Sequence, residues 1–315
     1  MLWKRWLQIN LVKTFDVQTR GMKARKPVAE NNDKEPVKIG QEVQPYDRRR
    51  LSYANTFDNQ WKANAIRAVE WLTAKLFLIR KIRQFEESGT PFGQPFFTKA
   101  LKVMGIDLLT PEDQIARIPA TGPLVVVANH PHGLVDGLVM AELIGRVRTD
   151  YKILTRSLLT GVQEIEEFML PVAFPHEENS QRKNIEMRKI AMKHLEAGGV
   201  IILFPAGAVA HSPTFFGEAV EGEWNPFTAK MVLNSGANVL PIFFPGHNTR
   251  LYQIANLLSA TFRQGLLLHE IKHAFNKAQN PVIGEPIPAE KVQEWKGNPR
   301  GLMAWMREIT LSLKN

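Results

Sequence analysis

Leu124-Val125-Val126-Val127-Ala128-Asn129-His130-Pro131-His132-Gly133, residues 124–133, is the stretch that decides the fold class. Its first five residues are all apolar and include three consecutive valines, which is typical of a strand buried on both faces. Pro131 and Gly133 fit neither a central strand nor a helix interior, so a tight turn is predicted directly after the strand. The stretch therefore predicts a buried strand that presents polar residues at its carboxyl end.

Short apolar runs alternate with helical stretches through the rest of the chain. Further strands are predicted at 151–154, 172–174, 200–204 and 239–244, with helices near 137–147, 181–197, 224–235 and 252–262. This alternation predicts an α/β fold with a mainly parallel central sheet flanked by helices, preceded by an N-terminal amphipathic helical region. In such a sheet, binding and catalytic groups collect beyond the carboxyl ends of the strands.

Three regions are predicted along the chain. Residues 1–50 form a basic N-terminal segment and flexible linker, 51–110 an amphipathic helical, membrane-proximal region, and 111–315 the α/β domain. The middle region contains a helix from Trp61 to Glu87, which carries six basic residues and one acidic residue up to residue 85, a net charge of +5. Its apolar residues either pack on the domain or lie on an anionic membrane, and different faces can do each.

The composition narrows the chemistry and the partners. The 315 residues include no cysteine, which excludes disulfides, thiolate nucleophiles and cysteine-based zinc sites. A net charge of +9 favours a polyanionic partner such as an anionic membrane surface or an acidic carrier protein. No apolar run approaches the roughly 20 residues that span a bilayer, and the first residues lack a signal-peptide cleavage site. We therefore expect a peripheral protein on the cytoplasmic face of the inner membrane.

His130 and Asp136 are the candidate catalytic pair. His130 follows the strand directly, and Asp136 falls near the start of the helix predicted from about Gly137. An aspartate that binds one ring nitrogen fixes the histidine tautomer, and the other nitrogen is then free to take a proton from a hydroxyl. The chain contains no G-x-S-x-G, Walker, G-x-G-x-x-G or H-E-x-x-H motif that competes with this pair.

Four ordered segments resemble the PlsC-like glycerolipid and lysophospholipid acyltransferase family. Residues 129–137 are similar to its N-H-P-x-G-x-x-D-G variant, in which five residues rather than four separate the histidine from the aspartate. That spacing is typical of the branch that includes ornithine-lipid-type lyso-aminolipid O-acyltransferases. Phe204-Pro205-Ala206-Gly207 resembles F-P-E-G, residues 240–244 the V-P-V block, and residues 246–250 the G-x-N-S-R block. The resemblance extends over residues 90–290 and implies the fold of that family.

The resemblance also implies a general-base mechanism. His130, oriented by Asp136, would take the proton of an acceptor hydroxyl as this hydroxyl attacks the thioester of acyl carrier protein (acyl-ACP) or coenzyme A (acyl-CoA). Backbone N–H groups near Gly207 or at the Gly133 turn would stabilise the oxyanion, with no metal or cofactor besides the thioester co-substrate. Substrate contacts are expected from Asn129, Gly133, Arg156, Phe204, Pro205, Gly207, Asn248 and Arg250.

Two departures from the family pattern concern the acceptor. Ala206 stands where the family has glutamate, and Val209 where it has arginine. Those family positions are associated with gripping glycerol phosphate, which neither alanine nor valine can bind. Either another basic residue takes over, or the acceptor is not a simple phosphate ester; the candidate replacements are Arg156, Arg182, Lys183 and Arg250. We expect a lyso-aminolipid acceptor, with lysophosphatidic acid as the alternative.

Other functions compete with this prediction. The His130-x-His132 pair at a strand end also occurs in metal-dependent amidohydrolases, which require a barrel and further metal ligands. Ala206 also leaves open a lipid-binding protein without catalytic activity. Nucleic-acid binding is not expected, because the basic segments lack the aromatic stacking motifs of single-strand binders. We assign His132 to scaffolding or to the lining of the substrate pocket.

Overall fold

The computed structural model describes residues 51–56, 59–155, 162–173 and 179–314, which all belong to one compact unit. Within them lie the strands β1 (Leu124–Ala128), β2 (Tyr151–Thr155), β3 (Met169–Pro171), β4 (Val200–Leu203), β5 (Asn238–Phe243) and β6 (Val282–Ile283). These strands form one sheet in the order β3-β2-β4-β1-β5-β6, and only β6 runs antiparallel to its neighbour. The predicted α/β fold with a mainly parallel sheet is thus confirmed, while the segment predicted for residues 1–50 lies outside the described residues.

Helices cover both faces of the sheet. They are α1 (Gln60–Glu70), α2 (Leu76–Glu87), α3 (Pro95–Met104), α4 (Glu112–Ile115), α5 (Leu134–Gly145), α6 (Ser180–Glu196), α7 (Pro226–Ser235), α8 (Arg250–Leu258), α9 (Ala260–Gly265), α10 (Leu267–Ala274), α11 (Ala289–Gln293) and α12 (Pro299–Ser312). Leu124 and Val126 point into a core shared with α3, α5 and α10. Val125 and Val127 point into the opposite core, shared with α6, α7 and α12. All five residues of β1 are therefore fully buried, as its sequence predicts.

Three predicted elements differ from the structure. The strand predicted at 172–174 lies at Met169–Pro171, where the chain pairs with β2. The helix predicted from about Gly137 begins at Leu134, and the stretch 252–262 forms two helices rather than one. The break falls at Ser259, whose backbone is extended and whose hydroxyl accepts from the Phe262 N–H to cap the second helix.

The long helix predicted from Trp61 to Glu87 is present as α1 and α2, joined without a break by one π-helical turn, Trp71–Lys75. One side of it is buried against the domain. On that side Glu70 accepts hydrogen bonds from the Ser52 hydroxyl at 2.6 Å and the Tyr53 N–H at 2.7 Å. The opposite side leaves Trp61 and Leu72 more than four-fifths exposed. Among the described residues, no helix is long and apolar enough to cross a bilayer.

Candidate active site

The turn between β1 and α5 places the two predicted catalytic side chains on each other. Gly133 has φ +74° and ψ −125°, a backbone conformation that essentially only glycine adopts without strain. This residue reverses the chain, so that α5 begins at Leu134 and Asp136 lies in its first turn. From there the Asp136 side chain points back to the end of β1, where His130 stands.

The His130 ring is held by a buried carboxylate. His130 Nδ1 lies 2.9 Å from Asp136 Oδ2, and the same oxygen accepts from the N–H groups of His132 at 2.8 Å and Gly133 at 3.1 Å. The Asp136 side chain is completely buried, while that of His130 is 18% exposed. Because a carboxylate can only accept, Nδ1 carries the proton and Nε2 carries a lone pair. No residue in the described part of the chain forms a hydrogen bond to Nε2.

Phe204, at the end of β4, forms one wall of the site. Its ring stacks on the His130 ring with a centroid distance of 4.0 Å and an interplanar angle of 20°. Pro205 is buried and accepts from the Asn225 N–H, and Gly207 continues the turn with φ +67°. A Cβ added at Gly133 would lie 3.4 Å from the Val209 side chain. The turns after β1 and β4 therefore meet around the histidine.

The predicted oxyanion donors are backbone N–H groups near Gly207 or at the Gly133 turn, and two of these groups already have partners. The Gly133 N–H already donates to Asp136, and the Gly207 N–H donates to the Phe204 carbonyl at 3.0 Å. Neither is free for a substrate oxygen. The next two N–H groups of the same turn, those of Ala208 and Val209, form no backbone hydrogen bond with any described residue. They remain as the candidate donors near Gly207.

Asn129 and Asn248 differ in how their amides are used. Both ends of the Asn129 amide bind the backbone of Phe244, so this side chain joins two strand ends. Asn248 is 2% exposed, and its Nδ2 has no hydrogen-bond partner within the described residues. A buried amide donor without a partner is uncommon, which makes Asn248 the better candidate of the two for a polar contact with substrate.

The predicted cationic contacts are only partly described. Arg250 begins α8 on the surface, where its Nη1 donates to the Gly217 carbonyl at 2.7 Å, and it forms no ion pair with a described carboxylate. Arg156 lies outside the described residues. Arg182 and Lys183 lie in the first turn of α6, after β3. Their roles in substrate binding stay predictions.

The two histidines of the turn have different surroundings. His132 Nε2 lies 3.0 Å from the Pro245 carbonyl, and its ring packs so closely on Gly246 that a Cβ there would lie 3.1 Å away. His132 is therefore held on the β5 side, while His130 is held by Asp136. The amidohydrolase alternative also requires a barrel, and the described strands form an open sheet instead.

Sequence reasoning missed one acidic residue of the site. Glu221 is buried, and its Oε2 accepts from the His130 N–H at 3.1 Å while its Oε1 accepts from Trp224 Nε1 at 3.0 Å. Burial raises the pKa of this carboxyl, although the two N–H donors oppose the shift. The only signal in the sequence is an acidic residue three positions before a tryptophan, which is too common a pattern to mark a site.

Comparison with known proteins defines the class of this chain. The sequence profile of the family described as Acyltransferase matches residues 83–315. The chain therefore belongs to this acyltransferase family and is an enzyme of the acyltransferase class, which confirms the family predicted from the four ordered segments.

The individual relatives share a quarter of their residues or fewer with this chain. The chain is 25% identical over 210 residues to a lyso-glycine lipid O-acyltransferase of Phocaeicola vulgatus, covering 63% of this chain and 71% of the relative. It is 23% identical over 206 residues to the lyso-glycine lipid O-acyltransferase of Bacteroides thetaiotaomicron, covering 63% and 73%. A solved structure, the 1-acyl-sn-glycerophosphate acyltransferase PlsC of Thermotoga maritima, superposes with a TM-score of 0.45 at 14% identity, over 85% of this chain and 88% of that one.

Proposed function

We propose that this acyltransferase transfers a fatty acyl group to the hydroxyl of a lyso-lipid, with His130 as the general base. The observation that carries the proposal is the 2.9 Å contact between His130 Nδ1 and the buried Asp136 carboxylate, which leaves Nε2 with a lone pair and without a partner in the described structure. A ring nitrogen held in this tautomer is suited to remove a hydroxyl proton.

The reaction needs one proton transfer in each direction. Nε2 of His130 takes the proton of the acceptor hydroxyl while the hydroxyl oxygen attacks the thioester carbonyl carbon. The tetrahedral oxyanion receives hydrogen bonds from backbone N–H groups, for which Ala208 and Val209 are the candidates. When the carbon–sulfur bond breaks, the thiolate leaves and takes the proton from His130 Nε2. The neutral histidine is then ready for the next acceptor.

For the acceptor we favour a lyso-aminolipid with an acidic head group over lysophosphatidic acid. Ala206 and Val209 remove the glutamate and arginine expected for a phosphate site. Two relatives are named for action on a lyso-glycine lipid. Arg250, exposed and not ion-paired to any described carboxylate, offers a guanidinium that can bind a carboxylate with two hydrogen bonds.

For the donor we propose acyl-ACP or acyl-CoA. Each presents the acyl chain as a thioester and each is anionic, which suits a chain with a net charge of +9. The thiolate is a good leaving group, so the His130–Asp136 pair is sufficient for the chemistry and no further cofactor is invoked.

We propose that the enzyme works as a peripheral protein on the cytoplasmic face of the inner membrane. The α1–α2 helix carries an exposed apolar stripe at intervals of three and four residues. The stripe consists of Trp61, Ala65, Ala68, Leu72 and Leu76. Exposed basic residues, among them Lys62, Arg80 and Arg83, lie on the same helix. An apolar face flanked by cations is the arrangement that binds anionic headgroup regions.

The experiment that tests the proposal offers one radiolabelled acyl thioester to lysophosphatidic acid and to a panel of lyso-aminolipids, including lyso-glycine lipid. We expect acylated product from the aminolipids, no product with His130→Ala, and a circular dichroism spectrum for that variant like that of the wild type. Arg250→Gln should raise KM for acidic acceptors more than it lowers kcat. Product formation by His130→Ala would refute the base assignment, and faster turnover of lysophosphatidic acid would refute the acceptor.

A further inference from the structure

A second buried carboxylate contacts the main chain of His130, the proposed general base. We propose that Glu221 is a positioning residue of the acyl-transfer reaction, which fixes the His130 main chain and stabilises the positive charge that forms on the His130 ring. The inference rests on the role proposed above for His130. It differs from that role in the residue concerned and in the way that residue acts, because Glu221 touches no reacting atom.

The contacts of Glu221 leave its side chain no alternative position. Oε2 faces the His130 N–H at 3.1 Å and Oε1 faces Trp224 Nε1 at 3.0 Å. With an N–H donor at each oxygen, a carboxylate accepts both hydrogen bonds, whereas a glutamine side chain of the same shape has only one acceptor oxygen. The His130 peptide is held from its other end as well, since the His130 carbonyl accepts from the Ala210 N–H at 2.8 Å.

The backbone that carries Glu221 is itself fixed. Val220 and His211 exchange two backbone hydrogen bonds, and the Glu221 carbonyl accepts from Arg307 Nη2 at 2.5 Å. Arg307 Nε also donates to the Gly222 carbonyl at 2.9 Å. The C-terminal helix α12 therefore holds the segment from which the Glu221 carboxylate reaches His130.

Ala206 accounts for the space that this segment occupies. A Cβ built on Gly222 would lie 3.8 Å from the Ala206 Cβ, so the Ala206 side chain faces the residue that follows Glu221. A glutamate at 206 would extend into this segment. Glu221, fifteen residues after Ala206 in the chain, thus directly precedes the residue that lies against the Ala206 side chain.

Both carboxyl groups of the site bind His130. When His130 takes the acceptor proton, its ring becomes a cation that has the Asp136 carboxylate at Nδ1, and the Glu221 carboxyl lies at the His130 backbone N–H. The attraction to His130 lowers the pKa of the Glu221 carboxyl, and the repulsion from Asp136 raises it. In a buried site such charge interactions are only weakly screened. The protonated ring is thereby stabilised relative to the neutral one.

The activity test compares Glu221→Gln with two controls. Glu223→Gln removes a carboxylate from an exposed neighbour, and Trp224→Phe removes one of the two hydrogen bonds to the Glu221 carboxyl but keeps the carboxyl itself. We expect Glu221→Gln to lower kcat by roughly 10- to 100-fold with KM values for donor and acceptor changed less than about twofold. Glu223→Gln should match the wild type. A kcat loss no greater than that of Trp224→Phe at equal melting temperature would overturn the proposal.

A second measurement does not depend on catalysis, so it separates a failure of this inference from a failure of the proposed function. Selective ¹⁵N-histidine labelling gives one backbone amide signal for each of the eight histidines, and His130→Asn identifies the signal of interest. We expect Glu221→Gln to move the His130 amide proton to lower chemical shift because a neutral amide is a weaker acceptor. Glu223→Gln should leave it in place. An unmoved His130 signal in Glu221→Gln would overturn the inference whether or not acyl transfer is detected.

Discussion

Asn129 and Phe244 bind each other twice. Asn129 Nδ2 donates to the Phe244 carbonyl at 2.8 Å, and the Phe244 N–H donates to Asn129 Oδ1 at 2.7 Å, in an environment where both residues are buried. This pair of bonds fastens the end of β1 to the end of β5 just before His130. The Asn129 side chain thereby extends the pairing of β1 with β5 by one more pair of hydrogen bonds.

Removing the two hydrogen bonds between Asn129 and Phe244 should destabilise the fold. Asn129→Ala leaves a buried N–H and a buried carbonyl without partners, and each unsatisfied group costs about 1–3 kcal/mol. We expect the free energy of unfolding in urea to fall by about 2–6 kcal/mol. Asn64→Ala, an exposed asparagine on α1, should change it by less than about 0.5 kcal/mol. Equal effects for the two variants would contradict this account.

Asp136→Asn should remove the carboxylate charge while keeping the shape of the side chain. Asp136 Oδ2 accepts all three hydrogen bonds, and Oδ1 has no partner among the described residues, so an asparagine can place its oxygen at the Oδ2 position and its NH2 at the other. The fold should therefore persist while the charge that supports a protonated His130 is lost. We expect kcat to fall about 10²- to 10⁴-fold with a melting temperature close to that of the wild type. Full activity would remove Asp136 from the mechanism.

Glu70 should make stability depend on pH. Burial raises its pKa above the ordinary value of 4.5, against the opposing hydrogen bonds from Ser52 and Tyr53. The folded protein then binds the Glu70 proton more tightly than the unfolded chain does, so the stabilisation present below pH 4.5 is lost as pH rises through the raised pKa. The free energy of unfolding of the wild type, minus that of Glu70→Gln, should decrease over this interval by at most about 1.4 kcal/mol per pH unit.

Ser52→Ala tests the predicted direction of this pH dependence. The Ser52 hydroxyl stabilises the ionised form of Glu70, so its removal should raise the Glu70 pKa further and extend the loss of stability to higher pH. Urea unfolding from pH 4 to pH 8 measures all three proteins. A difference curve that rises with pH would show that the Glu70 carboxyl is stabilised in its ionised form instead.

The exposed stripe of α1 and α2 should determine vesicle binding. Trp61→Ser combined with Leu72→Ser removes two apolar side chains that are 86% and 85% exposed, and burying such groups contributes about 1.5–3 kcal/mol each. We expect affinity for phosphatidylglycerol-containing vesicles to fall at least 10-fold by sedimentation. Ile185→Ser with Ile190→Ser, on the exposed side of α6, should bind like the wild type. Loss of binding in both double variants would indicate non-specific adsorption.

The sequence predicts local features of this fold well. The valine run of β1, the Pro131 and Gly133 turn, and the spacing of His130 and Asp136 each depend on neighbouring residues, and the structure places all of them as expected for a strand, a turn and a contacting pair. Four of the five predicted strands lie within one residue of their observed bounds, because short, largely apolar runs bounded by polar residues mark buried strands.

What the sequence does not predict depends on distant contacts. Glu221 meets His130 across 91 positions, and Asn129 meets Phe244 across 115, so no local pattern marks either pair. Without knowledge of these contacts, the sequence predicts Glu221 as a solvated acid and Asn129 as a substrate ligand. The strand at Met169–Pro171 was missed for the same reason, since it is short and is defined by its pairing with β2 rather than by its own composition.

The position of β1 in the sheet has a consequence for how the protein is made. Leu124 pairs with Val200 on one side and Asn238 on the other, so both neighbours of the central strand leave the ribosome after it. During synthesis a wholly apolar strand waits for several seconds with both edges unpaired, and such segments are prone to aggregate. Chaperones that cover this strand during synthesis should therefore raise the soluble yield.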